Sequence, residues 1–173
     1  MQDITDFYRV AQERGFARDF MLRVRAIGED TFNEDDFVYI TSKQLPDRSI
    51  TNQPVPYMGL VFNVPGTVTY PGSDSWSVTF RNDMDGAIRR KLEDWNISVF
   101  DNETSVGDIS VRGEDKVIQL DLIGDGGDGD VRNTYKLYGV YCKTIGTVDH
   151  NNEGAGAITT FTAQLAYHFW RHE

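Results

Sequence analysis

The chain has 173 residues, which is enough for one domain with a sizeable core and short for two. Hydrophobic residues make up 39% and charged residues 25%, a composition typical of folded proteins and not of disordered ones. No apolar run reaches the length of a membrane span, and the first residues lack the basic-then-apolar order of a secretory signal. We therefore expect one domain over residues 1–173, without signal peptide or membrane contact.

The net charge of −10 is concentrated in two segments. Residues 26–42 carry acids without a lysine or arginine, and residues 101–132 carry three times as many acids as bases. Because nucleic-acid-binding proteins place basic residues on one face, this distribution argues against tight binding of DNA. The acidic segments can simply be solvated loops, or they can form a surface that repels a polyanion such as DNA.

The first elements are predicted from local patterning. Residues 3–14 have the apolar spacing of a short helix, capped by Asp3 or Thr5. Residues 19–27 alternate as a half-buried strand, which places Ile27 on the same side as two arginines. A second short strand is predicted over Phe37–Ile40.

Residues 41–58 show neither the helical nor the strand period, and they contain three prolines. A stretch of this kind inside a compact domain is typically disordered or a binding loop. Scattered apolar residues favour an ordered loop that packs on something, and another subunit is a candidate for that role. The contact residues predicted for this loop are Leu45, Pro46, Asp47, Arg48, Ile50, Asn52, Pro54 and Pro56.

The middle of the chain has the clearest patterns. A strand is predicted over Tyr57–Val64, followed by a type II turn at Pro65-Gly66, and a second strand over Ser75–Phe80. A helix over about residues 83–95 then follows, with an apolar stripe at helical spacing. The core positions predicted for this helix are Met84, Ile88, Leu92 and Trp95.

The C-terminal half is predicted to be β-structure. Strands are expected over Val106–Val111, Val117–Ile123, Thr134–Lys143 and Thr160–Trp170. An acidic glycine-rich loop separates the second and third of these strands. Many short strands with a single substantial helix predict a mainly β barrel or sandwich.

The sequence contains no pattern that indicates catalysis. Asp125, Asp128 and Asp130 lie in a loop whose spacing fits neither an EF-hand nor a glycine-rich calcium repeat. The three histidines show no ligand pattern, and Cys142 lies in an aromatic strand where a packed thiol is expected. Phosphate-binding and nucleophile-elbow motifs are also absent. We therefore predict a protein that is not an enzyme and needs no cofactor or metal.

The order of several segments resembles the tail tube proteins of contractile-tailed phages, which are related to the tube proteins of type VI secretion systems. The matching segments are Pro54-Val-Pro-Tyr-Met-Gly59, the strand through Val64, Trp76-Ser-Val-Thr-Phe-Arg-Asn-Asp83, the helix ending Leu92-Glu-Asp-Trp95, the opening Gly15–Arg18 and the final run Phe161–Trp170. The match covers about three-quarters of the chain and is weakest over 98–131.

The resemblance implies two antiparallel sheets forming a β-barrel or sandwich with one flanking helix. It further implies stacked hexameric rings, a lumen that conducts DNA, and assembly into the virion tail in the host cytoplasm. The implied partners are other copies of the chain, the sheath, a baseplate tube initiator, a tail terminator, and tape-measure protein and DNA passing through the lumen. Asp35, Asp36, Asp125, Asp128 and Asp130 are candidates for acids facing that lumen or lying in loops.

Three alternatives stay open on the sequence. The chain could be a baseplate tube initiator, or the tube protein of a type VI secretion system. In a different class, tyrosine-rich strands could line the cavity of a barrel that binds a small ligand.

Overall fold

The computed structural model describes residues 3–15, 18–28, 32–105, 107, 116–124, 129–150 and 156–173. Two α-helices lie in these residues, α1 (Ile4–Arg14) and α2 (Ala87–Val99), with 3-10 helices over Asp19–Met21 and Glu34–Tyr39. The strands are β1 (Leu22–Ile27), β2 (Ile40–Ser42), β3 (Ser49–Tyr57), β4 (Leu60–Thr69), β5 (Trp76–Arg81), β6 (Val117–Ile123), β7 (Val131–Tyr138), β8 (Tyr141–Ile145), β9 (Thr160–Ala166) and β10 (Phe169–His172).

Eight of these strands form two four-stranded antiparallel sheets. One sheet has the order β1-β6-β7-β10, the other has the order β2-β5-β9-β8, and β3 and β4 pair only with each other. The inner faces of both four-stranded sheets share one buried cluster, as in a sandwich. The predicted class, mainly β with two antiparallel sheets and a flanking helix, is confirmed.

The core follows the alternation of the strands. Trp76, Val78 and Phe80 of β5 are buried against Phe161 and Leu165 of β9, while the residues between them face outward. Strand β1 departs from this rule because its register shifts between Val24 and Ala26. The shift turns Ile27 into the core, so the prediction that Ile27 shares a side with the arginines is wrong.

Helix α2 begins later and ends later than the sequence predicts. Gly86 adopts a left-handed conformation directly before the helix, and the Asp83 carboxylate accepts the Ala87 amide at 2.8 Å. The turn formed by residues 83–86 leaves Met84 outside the helix with its side chain fully exposed, so its assignment to the core is wrong. The other three members of the stripe, Ile88, Leu92 and Trp95, are buried.

Polar side chains of α2 hold the helix along the edge strand β8. The Asn96 amide donates to the carbonyl of Cys142 at 2.8 Å, and the Arg89 guanidinium donates to the carbonyl of Gly146 at 2.7 Å. Both hydrogen bonds satisfy backbone carbonyl groups at the edge of the sheet. Without these bonds the carbonyl groups could pair with a strand of another chain.

Two predicted long strands each divide between the sheets. Thr134–Lys143 separates into β7 and β8, and Thr160–Trp170 separates into β9 and β10. The two crossings meet where the amide of His168 donates to the carbonyl of Tyr138 at 2.9 Å. Gly139 has a φ of +67°, and the His168 ring occupies the place that a Cβ would need. A side chain at position 139 is therefore excluded sterically.

The N-terminal region also differs from its prediction. Helix α1 forms as expected, with the Asp3 carboxylate accepting the Ile4 amide, but it buries none of its residues. The strand predicted over Phe37–Ile40 is a 3-10 helix up to Tyr39. No helix of the described residues is both long and apolar enough to cross a membrane. The strand predicted over Val106–Val111 lies, except for Gly107, outside the described residues.

Candidate assembly surface

The segment predicted as a long loop is the start of a β-hairpin, which we call the arm (Ser49–Thr69). Strands β3 and β4 pair in an antiparallel register, and every residue of both strands is exposed. The loop prediction for residues 41–58 is therefore wrong for 49–57, and also for 41–42, which belong to β2. Two prolines and several polar residues of β3 hide the strand period in the sequence, and the period becomes visible only in the pairing with β4.

The turn of the arm is at Met58-Gly59 and not at Pro65-Gly66. Met58 and Gly59 have φ angles of 48° and 80°, and they connect the opposed pair Tyr57 and Leu60. Positive φ at both central residues of a two-residue loop defines a type I′ turn, whose twist matches that of the strands. Pro65 and Gly66 instead lie within β4, beside a register shift between Ile50 and Asn52. The Thr51 carbonyl oxygen lies 2.9 Å from the position that a Gly66 Cβ would take, so only glycine fits there.

The register gives the arm one apolar face. Tyr57 pairs with Leu60 and Val55 pairs with Phe62, and the next pair on that face joins Gln53 to Val64. The opposite face carries the prolines and asparagines. The members of that face are Asn52, Pro54, Pro56, Val61, Asn63 and Pro65.

The arm is also free of charge. Residues 49–69 contain no aspartate, glutamate, lysine or arginine, in a chain whose net charge is −10. Phe62, Leu60 and Val61 are each more than half exposed. Exposed apolar area without charge is typical of the centre of a protein–protein interface.

Two tryptophans fix the base of the arm to the rest of the chain, which we call the body: Trp76 is buried and Trp170 is half-buried. The Nε1 of Trp76 donates to the carbonyl of Gln44, and the Nε1 of Trp170 donates to the carbonyl of Asp47, both at 2.9 Å. Tyr70, which follows β4, packs edge-on against Trp170 with ring centroids 6.5 Å apart. The arm therefore leaves the body from a fixed base formed by both sheets.

The predicted contact residues fall into two groups. Leu45, Pro46, Asp47 and Arg48 lie in the extended segment at the base of the arm, and Ile50, Asn52, Pro54 and Pro56 lie on β3. The structure adds the apolar residues of β4, which sequence reasoning placed in the strand predicted over Tyr57–Val64. The absence of charge from position 49 to position 69 is the signal that could have identified the whole arm.

The candidate lumen acids have different surroundings. Asp36 is engaged by residues of its own chain, since its carboxylate lies 2.5 Å from Lys91 Nζ and accepts a hydrogen bond from the Asn33 amide at 2.8 Å. Asp130 pairs with Arg132 at 2.9 Å, and Asp35 is exposed. Asp125 and Asp128 lie outside the described residues.

Asp121 is a further acid that sequence reasoning did not select. It is buried on β6, where it accepts hydrogen bonds from Arg25 at 2.9 Å, Gln119 at 3.2 Å and Thr134 at 2.9 Å. These donors satisfy the carboxylate and tie β1, β6 and β7 together. Its role is therefore structural.

The body has a surface cleft of about 430 Å³ beside β1. Its lining residues are Phe20, Arg23, Val24, Arg25, Glu34, Phe37, Val38 and Lys43. Partial burial, together with the nearby Arg23 charge, lowers the pKa of Lys43. The alternative of a barrel that binds a small ligand expects tyrosines in the lining of its cavity, and the lining of this cleft contains none. Instead Tyr138 stacks on Phe169 with centroids 5.0 Å apart, and Tyr135 packs on Trp170.

The described residues contain no cluster that could hold a metal ion, and the thiol of Cys142 is not activated. Among them no group of three or more His, Cys, Asp or Glu side chains is arranged to hold a metal ion. Cys142 is buried, and this burial raises the pKa of its thiol to about 11, which disfavours the nucleophilic thiolate. Within the part of the chain that the structure describes, the arm stands out because it is exposed along both strands and carries no charge.

Comparison with solved structures shows which proteins share this fold. A chain of the PVC sheath–tube complex, from an extracellular contractile injection system in the extended state, matches with a TM-score of 0.62. The match covers 95% of this chain and 96% of that chain at 16% identity. The protein has the fold of contractile tail tubes.

Two further solved structures match over nearly the same length. A chain of the PVC sheath/tube terminator matches with a TM-score of 0.61 and 16% identity, covering 91% of this chain and 96% of that one. A chain of the anti-feeding prophage cap, a tube-terminating cap, matches with a TM-score of 0.62 and 14% identity, covering 92% of each chain. At these identities the likeness shows the tube fold alone. No family model and no curated protein matches the sequence.

Proposed function

We propose that the protein is a structural, non-enzymatic protomer of the inner tube of a contractile tail or a related injection particle. Copies form hexameric rings, and the rings stack into a tube. The observation that carries this proposal is the arm, a charge-free hairpin exposed along its whole length. The tube fold, shared over nearly the whole chain with chains of tube-containing complexes, supports the same function.

In the proposed ring every copy makes the same contact with the next copy around a common axis. In this contact one surface of a copy meets a different surface of its neighbour. Sheet edges are natural elements of such a contact, because pairing between copies satisfies their backbone groups. The edge β8 is covered by α2, whereas β1 and β10 are the outer strands of the other sheet. We assign the ring contact to β1 and β10 and the contact between rings to the arm.

The proposal is tested by electron microscopy of the purified protein with a normal and a shortened arm. The shortened arm lacks residues 54–63 and joins Gln53 to Val64 through Asn-Gly, which preserves a two-residue turn at an equivalent opposed pair. The normal protein should form six-membered rings and tubes, and the shortened one should form rings that do not stack. A protein that stays monomeric at high concentration would contradict the proposal.

The outcome of the shortening also tests the assignment of the arm. Its base is retained in the design, because Asp47, Trp170 and Tyr70 are unchanged. The melting temperature should therefore stay within a few degrees of that of the full chain. Unfolding of the shortened protein would show that the arm belongs to the core and would overturn its role in assembly.

A second candidate function is a tube terminator, favoured by the equal likeness to two terminator structures. A terminator ends a tube, so it should form single rings that bind one end of preformed tubes. The two candidates are separated by the same micrographs, since only a tube protomer elongates by itself.

Passage of DNA through the lumen is a part of the proposal that rests on charge. A net charge of −10 per copy repels a polyanion, so a tube can conduct DNA without retaining it. Assembled tubes should therefore show no retention of duplex DNA even at low salt. Retention that weakens steeply with added salt would indicate a basic lumen and contradict this part.

A further inference from the structure

The turn of the arm fixes which backbone groups face outward. A two-residue loop between Tyr57 and Leu60 makes that opposed pair a hydrogen-bonded one, and opposed pairs then alternate along an antiparallel ladder. Pro56 with Val61, Pro54 with Asn63, and Asn52 with Pro65 are therefore non-hydrogen-bonded pairs. The backbone groups of these residues point away from the partner strand.

The prolines of the arm all occupy outward positions and are distributed unequally. On the outer edge of β3, Pro54 and Pro56 lack an N–H, which leaves Asn52 as the donor there. On the outer edge of β4, Pro65 lies near the base, while the distal outward residues Val61 and Asn63 both keep their N–H groups. Proline blunts an edge strand against further pairing, so over the distal half of the arm β3 is closed and β4 is open.

We infer that the arm joins a second copy of this chain by strand addition through the outer edge of β4, with β3 as the closed edge. Val61 and Asn63 supply backbone donors and acceptors to the added strand. The apolar side chains of Leu60 and Phe62, which alternate with these two residues along β4, pack against the surface of the second copy that supplies the strand. This pairing mode rests on the proposed function, because it specifies how the arm makes the contact between copies.

Charge on the molecule favours a second copy as the occupant. Each copy carries a net charge of −10, so the approach of two copies is opposed by repulsion at most of their surface. The arm has no charge over residues 49–69, which removes this repulsion where the contact forms. A strongly basic partner would instead be recognised by acidic side chains, and the arm has none.

The test uses two matched substitutions, Asn63→Pro and Asn52→Pro. Both change asparagine to proline at an outward position of the arm, one on β4 and one on β3. Neither removes a hydrogen bond within the arm, so circular dichroism and melting temperature should match those of the normal protein. N63P should raise the concentration needed for tube growth at least about tenfold, and N52P should change it by less than about twofold.

Hydrogen exchange of the normal protein gives a second readout that needs no variant. On assembly the amides of Val61 and Asn63 should become protected, while the amide of Asn52 should keep exchanging. If N52P blocks growth as strongly as N63P, or if Asn52 is the protected amide, the strand-addition inference is overturned and the tube proposal stands. If the normal protein forms no assembly, the tube proposal fails and this inference fails with it.

Discussion

The indole of Trp170 in β10 donates a 2.9 Å hydrogen bond to the carbonyl of Asp47, 123 residues earlier in the chain. The bond joins the end of one sheet to the segment that leads into the arm. Tyr70, on the other side of the arm, packs on the same indole. One side chain thus contacts the chain on both sides of the hairpin.

Replacing Trp170 with phenylalanine should loosen the base of the arm more than it destabilises the body. The loss of one hydrogen bond to an exposed carbonyl corresponds to about 0.5–1.5 kcal/mol. Hydrogen exchange over residues 43–50 should accelerate, and rings should stack less efficiently. Trp76→Phe is the comparison, since it removes the equivalent bond to Gln44 from a buried indole and should lower global stability more. Unchanged exchange at the base in W170F would contradict this role.

Leu92→Ala should lower the unfolding free energy by about 2–5 kcal/mol, because Leu92 is fully buried between α2 and the sheets and its loss leaves a cavity. Met84→Ala is the matched control on the same predicted stripe. Its side chain is fully exposed ahead of the helix, so the change should stay within about 0.5 kcal/mol. Urea unfolding of both variants measures the difference. Equal losses would place Met84 in the core after all.

Asp121→Asn should destabilise the first sheet. The substitution keeps the shape of the side chain but places an amide donor where the carboxylate accepts from Arg25, Gln119 and Thr134. Hydrogen bonds to charged groups are worth about 1.5–3 kcal/mol, and the partial exposure of Arg25 favours the lower end. Thr134→Val removes one donor only and should cost less. Thermal melts at neutral pH check the order of the two losses.

Stability should fall with rising pH through the titration of Cys142. Burial raises the pKa of this thiol from 9.0 to about 11, so between these values the unfolded chain releases a proton that the folded chain retains. This contribution is fully present below about pH 9 and is lost as the pH rises through 11. The slope is at most about 1.4 kcal/mol per pH unit for one proton.

Cys142→Ala provides the control for this pH dependence. Tyr167 also has a raised pKa from burial, so the difference between the normal protein and C142A isolates the thiol. In the folded protein at pH 8 the thiol should react with a disulfide reagent only as fast as the protein opens. Rapid labelling of the folded protein would show an accessible thiolate.

Patterns confined to one element were predicted correctly from the sequence. The alternation Trp76, Val78, Phe80 and the stripe Ile88, Leu92, Trp95 both end in the core. Predictions failed where a neighbouring residue changes the backbone. Gly86 delays the start of α2 and exposes Met84, and the irregularity after Val24 turns Ile27 inward. Gly139 and His168 together divide two long strands between the sheets.

By itself the sequence determined that the chain is acidic, mainly β and flanked by an amphipathic helix, because these properties depend on composition and on the period of apolar residues. The sequence also shows that residues 49–69 contain no charged side chain. Only the tertiary structure decided that this segment is a hairpin with an apolar face, since its strand period exists only in the pairing of β3 with β4. The anchoring of the arm by Trp170 likewise joins residues that the sequence keeps far apart, and no local pattern encodes such a contact.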